Sequence, residues 1–97
     1  MNMQAMMRQV QNMQKDITKI KQEIDSTIFT STNSFVTVKV NGKKEVLSIN
    51  IDNKDLDNDD IEMLEDIIVV AMNDAFKQVD DITEKKMSKY GNIPGLF

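Results

Sequence analysis

Cysteine and histidine are both missing from this 97-residue chain. Without cysteine there is no disulfide, no thiolate nucleophile and no thiolate ligand for a metal. Without histidine the usual neutral-pH acid/base and the commonest zinc ligand are gone as well. Glycine occurs three times, too few for a glycine-rich phosphate loop. Aromatics are scarce, four Phe and one Tyr, and no platform for stacking single-stranded bases is evident. The longest run of apolar residues, Ile67 to Met72, falls far short of a membrane span. Polar residues within the first dozen positions leave no room for the apolar core of a signal peptide. These absences point to a soluble protein in a reducing, intracellular setting. They leave no metal, cofactor, small-molecule substrate or enzymatic activity to expect. At this length one domain is the limit, and a small domain with a shallow core gains from oligomerisation.

Charge is unevenly distributed. Residues 1–51 hold seven Lys/Arg against four Asp/Glu, residues 52–66 one against eight, and residues 67–97 four of each. The overall −4 is therefore one acidic block attached to a mildly basic first half. A polyanion responds to local potential, so the segregation matters more than the total.

Met3, Met6, Val10, Met13, Ile17, Ile20 and Ile24 recur at alternating spacings of three and four. That is a heptad seam with no polar interruption, on a helix spanning about residues 3–25. So narrow a stripe fits a partner helix, either a copy of itself or the chain's own later helix. Asp16 and Lys21 flank the seam where a parallel partner would pair them. The methionines (Met1, Met3, Met6, Met7, Met13) could form an adaptable groove; at heptad spacing the plainer reading is helix-packing core.

Three strands are expected between about residues 27 and 51. Thr27 to Thr30 reads as a short edge strand, with a turn at Thr32-Asn33. Phe35 to Val40 alternates, with Val36, Val38 and Val40 on one face. Asn41-Gly42 is a hairpin signal, because both residues tolerate positive φ. Glu45 to Ile51 returns with Leu47, Ile49 and Ile51 on the matching face. A second helix is expected over about residues 58–90, capped by Asp57 or Asn58 and carrying acids that suit the positive end of its dipole. Its first half has a broad apolar stripe suited to a sheet. Its second half is thinner and basic, and is expected to project beyond the core. Residues 91–97 read as a flexible tail after a single domain of residues 1–90.

Asp55, Asp57 and Asp59 have calcium-loop spacing, but Asp60 stands where glycine is needed and Asp66 where glutamate is needed. A solvated helix start explains these acids better. Paired-carboxylate hydrolysis needs two acids across a pocket, and no serine has a base. The basic side chains are more promising. Arg8, Lys15 and Lys19 lie away from the seam, and Lys85, Lys86 and Lys89 lie on the projecting helix end. Together they could grip the phosphates of a duplex, which gives affinity without sequence readout.

The order of these features resembles the YbaB/EbfC family of small bacterial nucleoid-associated proteins over nearly the whole chain. The likeness rests on Met6-Met7-Arg8-Gln9-Val10-Gln11 and on Val36-Thr37-Val38-Lys39-Val40-Asn41-Gly42-Lys43-Lys44-Glu45-Val46. It continues in Ile49-Asn50-Ile51-Asp52, Met63-Leu64-Glu65-Asp66-Ile67-Ile68, Ala71-Met72-Asn73-Asp74-Ala75, Glu84-Lys85-Lys86-Met87 and Ile93-Pro94-Gly95. The glycine-rich link that many members carry after the first helix is here Ser31-Thr32-Asn33-Ser34. The resemblance implies an α+β protomer: a long N-terminal helix, a three-stranded antiparallel sheet and a long C-terminal helix. It also implies a tweezer-like homodimer, binding to double-stranded DNA, a cytoplasmic, nucleoid location and no catalysis. The alternative is a prefoldin-like holdase or protein–protein adaptor without DNA binding, which also frames hairpins with long helices.

Overall fold

The computed structural model describes residues 2–90. The tail expected at residues 91–97 lies outside the described residues. Helix α1 spans Met3–Ser26, strands β1, β2 and β3 span Phe29–Asn33, Val36–Val40 and Val46–Ile51, and helix α2 spans Ile61–Met87. Short 3-10 turns flank α2 at Asn58–Asp60 and Ser88–Tyr90. The architecture is α+β, drawn out to 70 × 20 × 15 Å.

Local chemistry sets the element ends. The Asn2 side chain accepts a hydrogen bond from the Gln4 amide (3.0 Å) and opens α1. At the other end the Thr27 hydroxyl donates to the Glu23 carbonyl (2.6 Å), turning the chain out of the helix. Asp57 starts the second helical segment through a capping box. Its carboxylate accepts from the Asp59 amide (2.9 Å), while Asp60 accepts from the Asp57 amide (3.1 Å). The Asp57 carboxylate of the calcium-like spacing is thus occupied with a backbone amide.

The sheet runs in the order β1-β2-β3, antiparallel throughout. Val36, Val38 and Val40 on the central strand are fully buried. They meet Ala71, Ala75 and Val79 on α2, and the small alanines let the helix axis come close to the sheet. Each buried valine contributes roughly 1.5–3 kcal/mol relative to exposure. Two polar links fix the helix across β1. The buried Ser31 hydroxyl donates to Asp74 Oδ2 at 2.7 Å, and Gln78 Nε2 donates to the Thr30 carbonyl at 3.0 Å. Helix α2 therefore lies over β1 and β2 and leaves β3 uncovered.

Both turns differ in detail from the sequence expectation. The β1–β2 reversal is at Ser34-Phe35, because Asn33 pairs with Val36. Ser34 adopts φ 53°, the conformation a glycine would take there without steric cost. In the β2–β3 loop the positive φ falls on Lys44 (61°), and Asn41 and Gly42 stay out of the left-handed region. Asn41 organises that loop with its side chain, accepting from the Lys43 and Glu45 amides at 2.9 and 3.0 Å. Gly42 is required for a different reason. A Cβ there would overlap the Ile24 carbonyl of α1 and approach the Asp25 nitrogen to 2.8 Å. The glycine seats the hairpin against the end of α1.

Candidate nucleic-acid interface

The heptad seam of α1 divides into two halves with different fates. Ile24 is buried, and Met13, Ile17 and Ile20 are half-buried, where α1 meets the second half of α2. Met87 of α2 is buried in the same contact. So the chain's own later helix takes this half of the seam, in antiparallel order: Lys86 reaches Glu23 (3.9 Å) and Lys89 reaches Asp16 (2.6 Å). This corrects the parallel pairing suggested by Asp16 and Lys21. The second half of α2 does leave the sheet, as expected, but with α1 beside it. The first half of the seam is open: Met3 is 74% exposed and Val10 49%.

Asp16 is the hub of the helix–helix contact. It accepts from the Lys89 ammonium and from the Tyr90 hydroxyl. These two bonds, the lysine's first, hold its carboxyl below the usual carboxylate range. The same contacts raise Lys89 and Tyr90 above their ordinary values. Asp74 is lowered too, first by the Ser31 hydroxyl and then by Gln78.

The six basic side chains singled out in the sequence do not converge on one patch. Arg8, Lys15 and Lys19 are exposed on α1 at spacings of seven and four. At 100° per residue they fall within about 40° of one another, along about 16 Å of helix. That stripe is diametrically opposite the seam. Gln11, Gln14, Thr18 and Gln22 border Lys15 and Lys19 in a shallow concavity, adding uncharged hydrogen-bonding groups. Among the described residues, Arg8, Lys15, Lys19 and Lys85 have no ion-pair partner. Lys85 is about 160° round α2 from the buried Met87, hence on the side away from α1. Lys86 and Lys89 are held by Glu23 and Asp16. Local sequence carries no sign of this, because the pairs join residues more than sixty positions apart. The acidic block, residues 52–66, lies where α2 starts, about 40 Å of helix away from Tyr90. Basic and acidic surfaces therefore occupy opposite ends of a long molecule.

Strand β3 and its surroundings form a second feature, on residues whose alternation suggested burial. Val46, Leu47, Ile49 and Ile51 are 39–51% exposed. Ile49 and Ile51 pair with Val38 and Val36, so they extend the core-facing side of the sheet. Leu47 is the extra residue of a bulge opposite Lys39 and Val40. On α2, Asp74 and Gln78 bond β1, which turns Val69, Met72 and Phe76 toward the β3 side. Together these side chains make an apolar face that the described residues do not close.

These features define a small α+β protein with a basic helix face and an apolar sheet edge that the described residues leave open. The sequence profile of the YbaB/EbfC DNA-binding family matches residues 1–93. A nucleoid-associated protein of Clostridium novyi is 43% identical over 102 aligned positions, covering 100% of this chain and 90% of that protein. One from Bacillus licheniformis is 46% identical, covering 99% and 94%. Among solved structures, an uncharacterized protein from Helicobacter pylori superposes with a TM-score of 0.73 at 25% identity, covering 93% of this chain and 96% of that one. The chain belongs to the YbaB/EbfC DNA-binding family.

Proposed function

We propose that this protein is a homodimeric, nucleoid-associated protein of the cytoplasm that binds double-stranded DNA by its phosphates. Residues 1–90 act as one domain. The observation that carries the reading is the Arg8–Lys15–Lys19 stripe, exposed, free of acidic partners among the described residues and bordered by amides. Such groups bind phosphate without reading bases. Lys85 adds a contact from the other helix. Lys86 and Lys89 have first to leave Glu23 and Asp16, so their role in DNA binding is secondary to holding the helix pair together.

Dimerisation is supported by the open face on β3 and α2. A second copy related by a two-fold axis would lay its own α2 flank over Leu47, Ile49 and Ile51, and receive the same cover in return. The helix pairs of both protomers would then project from a shared core as two arms. Organisation of the nucleoid and an influence on gene expression follow from such non-specific coating. A holdase is the second reading, favoured by the exposed methionines at the α1 tip.

Fluorescence anisotropy with duplexes of unrelated sequence tests the proposal. The triple variant Arg8→Glu/Lys15→Glu/Lys19→Glu is expected to lose most binding to every duplex, with its helix content and mass unchanged. Undiminished binding would remove the α1 stripe from the interface. Suppression of client aggregation by a protein that binds no DNA would favour the holdase.

A further inference from the structure

Among the described residues, nothing packs on the first half of the α1 seam, and the DNA-binding reading does not use it. Met3, Met6, Met7 and Val10 are 46–74% exposed and line one apolar concavity with Gln11. Met3, Met6 and Val10 continue, in unbroken register, the stripe whose second half already packs on α2, and Met7 widens it. The α2 helix gives no cover here, because the Lys89 and Tyr90 contacts with Asp16 mark the last described level of the helix pair.

We propose that residues 3–10 of α1 pair with the same stretch of a second copy of this chain, joining one β3-linked dimer to another. Three features select a copy of the same helix as the occupant. First, a stripe spaced at three and four matches a helix of the same periodicity, and the segment supplies its own complement. Second, residues 2–14 contain one charged side chain, Arg8, and no acid. Arg8 stands at the outermost position opposite the seam, so two copies meet without charge repulsion. Third, Gln9 on one side of the stripe and Gln11 and Gln14 on the other flank it with amides that both donate and accept, and so bond to copies of themselves. Pairing through the seam leaves Arg8, Lys15 and Lys19 on the outside. Two dimers joined at their tips could therefore hold two duplexes, or two sites on one duplex. The association itself does not depend on the DNA-binding reading.

The absence of native cysteine makes the test direct. Single substitutions Met3→Cys, Met6→Cys and Val10→Cys are oxidised in the full chain without DNA, with Arg8→Cys as the outward-facing control. The expected result is a disulfide-linked two-chain product at one or more seam positions and little at Arg8→Cys, with the native mass doubling from two chains to four. Ile49→Asp in the same background separates the two interfaces, and the cross-link is expected to persist there. Cross-linking no faster at the seam than at Arg8→Cys overturns the proposal. So does a cross-linked species whose native mass stays at two chains, since the tips then meet within one dimer. Cross-linking that appears only after removal of residues 91–97 also overturns it, and assigns the seam to that segment.

Discussion

Replacing Gly42 by alanine tests how the hairpin and α1 are fitted together. The added Cβ overlaps the Ile24 carbonyl and comes within 2.8 Å of the Asp25 nitrogen. All of these atoms are backbone, so no rotamer change relieves the clash. The hairpin loop and the end of α1 have to separate by on the order of 1 Å, which forfeits roughly half of their dispersion attraction. Ile24, 4% exposed, lies at that junction and would be partly uncovered. Overpacking of this kind costs about 1–3 kcal/mol, and the rigid neighbours place this case at the upper end. Alanine returns about 0.4–1 kcal/mol by restricting the unfolded chain, since Gly42 does not need a left-handed conformation. The net loss is about 2 kcal/mol, which lowers the melting temperature by roughly 8–16 °C in a domain of this size. Circular dichroism on heating and in urea, at one fixed protein concentration, measures it. Lys43→Ala, one residue on and exposed, is the control and should stay within about 0.5 kcal/mol of the parent. A Gly42→Ala protein as stable as that control would refute the close-approach explanation.

Other consequences are equally open to measurement. Asp16 is depressed in the folded state, so its stabilisation is present above the ordinary carboxylate value of 3.8 and fades as pH falls through the folded value. Protection of the α1 amides against hydrogen exchange, taken relative to the intrinsic rate at each pH, should therefore fall on acidification, and Asp16→Asn should remove much of that pH dependence; an identical profile in the variant would contradict the role given to the Lys89 and Tyr90 contacts. Ile49→Asp should convert the proposed dimer to monomer in sedimentation equilibrium, because it places a charge in the apolar face, whereas a variant that still dimerises would relocate the interface. Ser34→Val should cost about 1–2 kcal/mol in urea denaturation, since a β-branched residue resists positive φ. Ser34→Gly should be no less stable than the parent.

Periodicity makes the element order legible. The seam spacing marks α1, the valine alternation marks β2, and the broad apolar stripe marks the half of α2 that covers the sheet. Pairings at long range are not legible. Whether Met13 to Ile24 meets a copy or the chain's own α2 depends on where α2 leaves the sheet, and local spacing does not report that. The same holds for Lys86 and Lys89, which read as free cations until Glu23 and Asp16 are placed beside them. Asn41-Gly42 is recognisable as a turn, but its glycine is explained by the neighbouring helix and not by φ. The exposure of Leu47, Ile49 and Ile51 is hidden because alternation says which side of a strand is apolar and not what lies over it. The basic stripe of Arg8, Lys15 and Lys19 is visible from helical spacing alone.

Phosphate binding by that stripe is the central claim, and a salt series tests it most directly. Anisotropy titrations of the wild-type protein on a random-sequence duplex should give saturable binding that weakens linearly on log–log axes with salt. The slope should be about −0.9 per phosphate neutralised. Substituting glutamine for Arg8, Lys15 and Lys19 should flatten that slope by about 0.9 for each phosphate no longer neutralised. A slope unchanged in the glutamine variant, or no binding at the lowest salt, would contradict the account.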